Sequence, residues 1–459
     1  MRYQKLYDNS PIWFQNIMAT LYGYKTKKNR YKGDYYNYLD YLKDVHNNSR
    51  DELKEIQFKE LMNLLKNTIE KSSFYKELYK NIDIDSFKSI EDLKKLPVVT
   101  KEMLRQNIDD VVTIEKSNAV EGHTGGTTGK SLTVYFTRED MQKRMATLDH
   151  FKLRHGFENM KMKRATFMGK HIVPPGQTKK EFWRYNAAIK QMVYSSFHIT
   201  EENIPYYIES LNKFKPVSID GFVSSIYDIA SYILRNNITI DFNLKAVFPT
   251  SETVTTEHRK VIEKAFNTKV RDQYASSEGA PFVWECAKGN YHYDITTGVI
   301  ENIENSNEIL VTSFTTYGTP LIRYKIGDKM IFEDEDKSCD CGFNTPLVKS
   351  IEGRVADFLY TTEGAKINLG NIANIFKNMP NIIVKSQLIQ DSLNHMRIKL
   401  VLENEFKDKD RQRLIDEIKH KFGNDIKIDF EIVDEIKREK SGKYKLVKNK
   451  VEQEDINAQ

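Results

Sequence analysis

Long apolar stretches are missing from this sequence. No run of about 18 or more consecutive apolar residues occurs in it, which excludes a membrane-spanning helix. Cysteine is scarce: three in 459 residues cannot build a disulfide framework, so a reducing, cytoplasmic setting is expected. Met1-Arg2-Tyr3-Gln4-Lys5 has no continuous apolar core, so no cleaved secretion signal is expected. Internal repeats and low-complexity linkers are absent. No sign of charge dominates either, since 70 Lys and Arg face 65 Asp and Glu for a net +5. That balance describes a salt-laced surface, not the concentrated basic strip of a nucleic-acid binder. The one such strip, Lys437 to Lys450, is short.

What is present is enough apolar surface to fold, 39% hydrophobic residues, on a chain long enough for two or three domains. Residues 1–95 are expected to be mostly helical: Leu53, Ile56, Leu61, Leu64, Leu65 and Ile69 recur near the helical period. From about 120 to 350 strand-like runs (Ala246–Pro249, Ile309–Phe314, Leu321–Ile326) alternate with helical patterns (Met141–Phe151, Ile226–Leu234), as an α/β body requires. Strand, strand, helix and strand then follow at Ile382–Ile389, His395–Glu403, Lys409–Phe422 and Ile426–Val433. The expectation is an α/β fold: a large multi-layer N-terminal domain with mixed sheets (1–352) and a small, mobile α+β C-terminal domain (353–459).

The densest local signal is Thr124-Gly125-Gly126-Thr127-Thr128-Gly129-Lys130-Ser131. Small residues let backbone amides and hydroxyls approach phosphate oxygens, and the lysine adds positive charge. It is not a P-loop, because Thr124 stands where the first glycine is required and Leu132–Phe136 reads as a strand, not a helix. A β-hairpin turn is expected, and a plain surface turn is the alternative.

This loop resembles the phosphate loop of the adenylate-forming superfamily of acyl-CoA synthetases, nearest to phenylacetate–CoA ligase-like proteins and their relatives in capsule-polysaccharide gene clusters. Further patches follow in the family's order. Thr250-Ser251-Glu252 resembles the segment along the adenine. Asp272-Gln273-Tyr274-Ala275-Ser276-Ser277-Glu278 resembles the adenine and magnesium motif. There the resemblance implies that Tyr274 stacks on the purine, Ser276 or Ser277 bonds a phosphate and Glu278 holds Mg²⁺. Arg323-Tyr324-Lys325-Ile326-Gly327-Asp328 resembles the motif whose aspartate takes both ribose hydroxyls. Ile351–Asp357 resembles the domain junction, with Arg354 near ribose or phosphate, although Ala356 replaces one of the two acidic residues usual there. Lys437–Lys445 resembles the C-terminal loop with the adenylation lysine, here Lys443, flanked by rivals Lys440 and Lys445.

The resemblance implies that ATP and a carboxylic acid give acyl-AMP and pyrophosphate, with Lys443 supporting the transition state. The small domain then rotates, and a thiol such as coenzyme A, or an amine, takes the acyl group. A region from Met168 to Phe222, with His171, Trp183, Tyr185 and Phe222, is expected to line the acid pocket. A homodimer stays open; nucleic acid and membrane insertion do not. The alternatives are transfer to a sugar amine or carrier, a non-catalytic nucleotide-binding module and a P-loop phosphotransferase.

All three cysteines fall in one stretch. Cys286, His292, Cys339 and Cys341 give Cys-x5-His and Cys-x-Cys, a closed thiolate and imidazole set suited to structural Zn²⁺. Three unrelated thiols are the alternative.

Overall fold

The computed structural model describes residues 6–123, 132–170, 172–174, 177–354, 358–362, 366–368, 372, 375–376, 382–439 and 444–451. Three long helices come first: α1 (Ile12–Arg30), α2 (Asp34–Val45) and α3 (Arg50–Lys71). The Leu53, Leu61, Leu64 and Leu65 stripe of α3 is buried, and Ser49 starts that helix with a capping box to Glu52. A hairpin of β1 (Val120–His123) and β2 (Thr133–Phe136) leads into α4 (Arg138–Arg154). Residues 124–131 lie outside the described residues, but the strands beside them pair antiparallel, as a hairpin turn requires.

The α/β body follows: β3 (Arg164–Met168), β4 (Trp183–Asn186), β5 (Gln191–Ser195), α5 (Ile204–Phe214), β6 (Ser218–Phe222), α6 (Val223–Arg235), β7 (Ala246–Thr250) and α7 (Thr256–Phe266). Its five strands lie in the order β4-β5-β3-β6-β7. All neighbours are parallel except β4 with β5. The edge strand β4 is covered by α1: Tyr185 N–H donates to Asn16 Oδ1 at 2.9 Å and Ala187 N–H to Thr20 Oγ1 at 3.1 Å. Helix side chains thus occupy an edge that would otherwise offer unpaired backbone groups. Gly23 permits the approach, since a Cβ there would lie 2.0 Å from Asn186 Oδ1.

A second sheet combines β8 (Gln273–Tyr274), β9 (Val283–Glu285), β10 (Tyr291–Tyr293), β11 (Gly298–Asn302), β12 (Glu308–Ser313), β13 (Tyr324–Phe332) and β14 (Leu347–Arg354). The order is β11-β12-β13-β14-β10-β9-β8, with Val99–Thr100 added parallel to β13. The strand expected at 321–326 begins at Tyr324, because Arg323 takes a left-handed φ of 46°. Strand β14 pairs with β13 as far as Arg354, through the expected division at 352/353.

The C-terminal region has its own core. Strands β15 (Phe358–Tyr360) and β16 (Lys366–Asn368) form a small ribbon. Strands β17 (Ile383–Ser392), β18 (His395–Leu402), β19 (Lys427–Ile432) and β20 (Val447–Asn449) form a sheet ordered β19-β18-β17-β20. Helix α8 (Asp408–Phe422) buries Leu414, Ile418 and Phe422 with Leu388, Ile398 and Leu400 of that sheet.

Within β6 the backbone itself is demanding. Gly221 has φ 132°, and a Cβ there would meet the Phe167 carbonyl oxygen at 2.0 Å. Backbone on a neighbouring parallel strand cannot step aside as a flexible side chain can. Gly221→Ala is therefore expected to destabilise the body by about 2 kcal/mol or more, read as a thermal midpoint several degrees lower.

Candidate active site

Strand β7 ends at Thr250, and Ser251, with φ 68°, turns the chain away from the sheet. Left-handed backbone is uncommon outside glycine and marks a position held by its surroundings. The turn presents Glu252, whose Oε2 accepts from Ser224 N–H at 2.7 Å and whose Oε1 accepts from Ser224 Oγ at 3.0 Å. Ser224 lies in the first turn of α6, where a carboxylate is favoured by unpaired amides and the helix dipole. Phe222 lies opposite Thr250 at the C-terminal ends of β6 and β7. Ligands of open parallel sheets gather at such ends.

The neighbouring strand β8 is tied to β7 where Gln273 Nε2 donates to Pro249 O at 3.5 Å. On β8, Tyr274 donates its hydroxyl to Asp328 Oδ2 at 2.7 Å. Asp328 is buried, and its backbone partner across β13 and β14 is Arg354. Two patches 54 residues apart thus meet side chain to side chain, with a third opposite them in register. Beyond Tyr274, Ser276 Oγ accepts from the amides of Gly279 and Ala280 at 3.1 and 2.9 Å, forming a tight turn. Glu278 is buried and accepts from Ser277 Oγ at 3.2 Å.

Arg144 on α4, absent from the sequence expectations, donates to Ser276 O at 2.9 Å and lies over the Phe136 ring. Desolvation lowers its guanidinium to about 10, with Asp140 and Glu278 the carboxylates that oppose the shift. It stays charged at neutral pH and links hairpin, helix and the Ser276–Glu278 turn. Its position in an ordinary helical pattern gave no signal.

Asp272 serves a different end. Its Oδ1 accepts from Gln273 N–H at 2.8 Å and its Oδ2 from the Tyr291 hydroxyl at 2.7 Å. Loss of water raises its carboxyl to about 6, against the lowering bond from Tyr291. In this arrangement Asp272 braces β8 against β10. The Met168–Phe222 region also divides. Trp183 and Tyr185 lie on the outer edge strand β4, with three strands between them and β7, a separation of about 19 Å. They do not meet the Tyr274–Asp328 site, because strand order, which periodicity does not encode, sends β4 to the far edge. His171 lies outside the described residues.

The C-terminal domain reaches the site at the turn that carries Glu252. Tyr444 N–H donates to Glu252 Oε1 at 3.1 Å. Arg438 Nη2 donates to Asp228 Oδ2 at 2.8 Å and Nη1 to Ser224 Oγ at 2.9 Å. Lys385 Nζ reaches the same Asp228 oxygen at 2.9 Å. Residues 440–443, Lys443 among them, lie outside the described residues. So do the phosphate-loop residues from Thr124 through Gly125, Gly126, Thr127, Thr128 and Gly129 to Lys130. The residues on both sides of 440–443 nevertheless dock on the ends of β7 and α6.

A separate cluster gathers Cys286, His292, Cys339 and Cys341, with ligand atoms all within 4.8 Å of one another. Cys286 Sγ and Cys339 Sγ are 3.8 Å apart. That is too far for a disulfide, and it is the ~3.8 Å that two sulfurs keep around a tetrahedral ion at ~2.3 Å from each. His292 Nε2 lies 3.2 Å from Cys341 Sγ while its Nδ1 faces Thr345 Oγ1 at 3.0 Å. Burial lowers His292 to about 4, leaving the neutral ring a metal requires. Trp284 stacks on it at 4.7 Å. The donor set fits a closed four-ligand metal site.

These folds and contacts define the class: a two-domain adenylate-forming ligase fold. It aligns with 2-hydroxyisobutyryl-CoA ligase in its post-adenylation state with R3-HIB-AMP at TM-score 0.70, 17% identity, over 89% of this chain and 91% of that one. With the thioesterification-state structure of that ligase the TM-score is 0.56, at 17% identity over 88% and 90% of the two chains. Residues 359–450 match the CapK C-terminal domain. Protein CapK of Staphylococcus aureus is 38% identical over 454 residues, 97% of this chain and 99% of that protein; the chain belongs to the CapK family. Phenylacetate-coenzyme A ligase of Escherichia coli (strain K12) is 32% identical over 104 residues, 22% of this chain and 24% of that enzyme.

Asp228 receives two cations from the other domain, so its removal takes from both the carboxylate they share. Asp228→Ala is expected to weaken docking by about 3 kcal/mol. Small-angle scattering should then show a larger radius of gyration, and trypsin should cleave faster between the domains.

Proposed function

We propose that this protein activates a carboxylic acid with ATP, forming acyl-AMP and pyrophosphate, and then transfers the acyl group to coenzyme A. The observation that carries the reading is the meeting of Tyr274 with Asp328 beside the turn on which Arg438 and Tyr444 dock. Patches spread over more than 160 residues converge there, from Tyr274 to Tyr444, which is the arrangement a single nucleotide requires.

In this reading the carboxylate oxygen of the acid attacks the α-phosphorus, the new P–O bond forms, and pyrophosphate leaves with the electrons of the bond that breaks. Tyr274 supplies an aromatic face to the adenine while its hydroxyl fixes the Asp328 carboxylate toward the ribose diol. Ser251 and Glu252 shape the wall beside the adenine, and Phe222 closes the acid side. Ser276, Ser277 and the loop at 124–131 face the phosphates. Glu278 is the hard oxygen ligand for Mg²⁺, which neutralises phosphate charge when bound. Arg354, paired in backbone register with Asp328, is assigned to ribose or phosphate in this reading.

Lys443 completes the site as a compact cation for the transition state. The docking of its described neighbours Arg438 and Tyr444 supports that role, as does the higher TM-score against the post-adenylation structure than against the thioesterification structure. For acyl transfer the small domain then leaves this pose, and the Asp228 contacts are those that break. The Cys286, His292, Cys339 and Cys341 set we assign to structural Zn²⁺, since four protein donors leave no open position for chemistry.

Lys443→Ala is expected to lower acid-dependent pyrophosphate release on the order of a hundredfold or more, with ATP affinity nearly unchanged. Near-normal release would remove Lys443 from the mechanism, and silence of the wild type across a broad acid panel would favour a non-catalytic module. Mass spectrometry of the products separates a coenzyme A thioester from an amide on a sugar amine. Elemental analysis should find one zinc per chain, and Cys341→Ser should lose it together with several degrees of thermal midpoint.

A further inference from the structure

Helix α1 is amphipathic in an unusual sense: its exposed face is the apolar one. Gln15 and Gly23 are buried against the body, while Trp13 (64% exposed), Ile17 (44%) and Leu21 (63%) face solvent. With Tyr24 they recur at intervals of three and four residues, the spacing of one helical face. Tyr22 beside them is also exposed, with Lys170 5.7 Å from its ring centroid. A scattered exposed leucine needs no explanation, but a contiguous stripe headed by tryptophan does.

The charge on this helix is as one-sided as its apolar face. Lys25, Lys27, Lys28 and Arg30 occupy its last turns and it has no acidic residue, in a chain whose charges otherwise nearly cancel. Among the described residues none of these four pairs with a carboxylate. Alongside, a groove of about 700 Å³ bounded by Asn16 of α1 is lined by Lys163, Lys179, Lys180 and Lys213, against Glu181 and Glu209. A second copy seated on this face would bring two such cation sets together with no carboxylate on the helix to offset them. An anionic lipid surface is complementary to both features: Trp and Tyr suit the headgroup boundary, and lysines the phosphates.

We infer that α1 is an in-plane docking surface for an anionic membrane. No helix among the described residues is long and apolar enough to cross a membrane, so the helix lies on the bilayer, with Trp13, Ile17 and Leu21 in the boundary layer and its last turns over the headgroups.

The test is co-sedimentation of the full chain with vesicles of phosphatidylcholine alone or with phosphatidylglycerol added, at low and high salt. The wild type is expected to sediment with the anionic vesicles, with a blue-shifted tryptophan emission, and to be released by salt. Removing two charges by Lys27→Gln and Lys28→Gln should lower binding about 30-fold. Trp13→Ser with Leu21→Ser should abolish the emission shift and the binding. Trp13, Leu21 and Lys28 are exposed and Lys27 is half-buried, so an unchanged thermal midpoint verifies folding. A wild type that stays in the supernatant with anionic vesicles overturns the inference. So does a dimer, seen by light scattering, that Trp13→Ser with Leu21→Ser dissociates while vesicles bind neither form.

Discussion

Asp228 is a nearly buried carboxylate on one domain that meets two cations, Arg438 and Lys385, from the other. Charges so far from water repay their desolvation only with close geometry and further hydrogen bonds. Arg438 supplies both, since its second nitrogen donates to Ser224. Such a pair adds little to stability compared with an apolar contact, but it distinguishes one relative placement of two domains from all others. The end of β7 is tied into the same contact, because Glu252 takes the amide of Ser224 from within its own domain and the amide of Tyr444 from the other. Separation of the domains would leave Glu252 with its own helix turn and return Asp228 and Arg438 to water. The two half-reactions proposed above require such a contact.

The second constraint is mechanical. Tyr274 pairs with Val283 and Gln273 with Trp284 across β8 and β9, and Trp284 stacks on His292 of the cysteine and histidine cluster. Arg154 lies over both Trp284 and Phe343, 4.3 and 3.9 Å from their ring centroids. The loop that bears Cys339 and Cys341 is thereby joined to the strand beside Tyr274 and to α4, which also carries Arg144. A metal holding the four ligands would fix this block without approaching the chemistry. Asp272, just before the same strand, reaches past β9 to the Tyr291 hydroxyl on β10. Tyr274, which the proposed function sets against the adenine, thus stands on a strand held by β9 and by the Asp272–Tyr291 bond.

Much of this arrangement is legible in the residues alone. The α/β alternation and the C-terminal strand-strand-helix-strand order are found as read, because caps and periodicities are local properties of the chain. The cysteine cluster is legible for the opposite reason: with so few cysteines, their spacing with His292 has little competition. What sequence leaves unread is long-range placement. Trp183 and Tyr185 read as pocket aromatics but fall on the far edge strand, since nothing in a strand's pattern states its neighbour. Arg144, Asp228 and Arg438 are ordinary charged residues on ordinary elements, and only their partners, at least 130 residues away, give them a role. Helix α1 is the converse case. The face that packs on β4 is the polar and small one, with Gln15, Asn16, Thr20 and Gly23.

That inversion sets the geometry of the whole molecule. The β4 edge needs hydrogen-bonding side chains to cover its backbone, and Asn16 and Thr20 provide them, which turns the apolar stripe of α1 outward. The site lies beyond β7, the opposite edge of the same sheet, about 19 Å away. A membrane under α1 therefore leaves clear the β7 and α6 ends, where the C-terminal domain meets Asp228. Had the lysine-rich helix covered the β7 edge instead, the membrane and the C-terminal domain would compete for one surface.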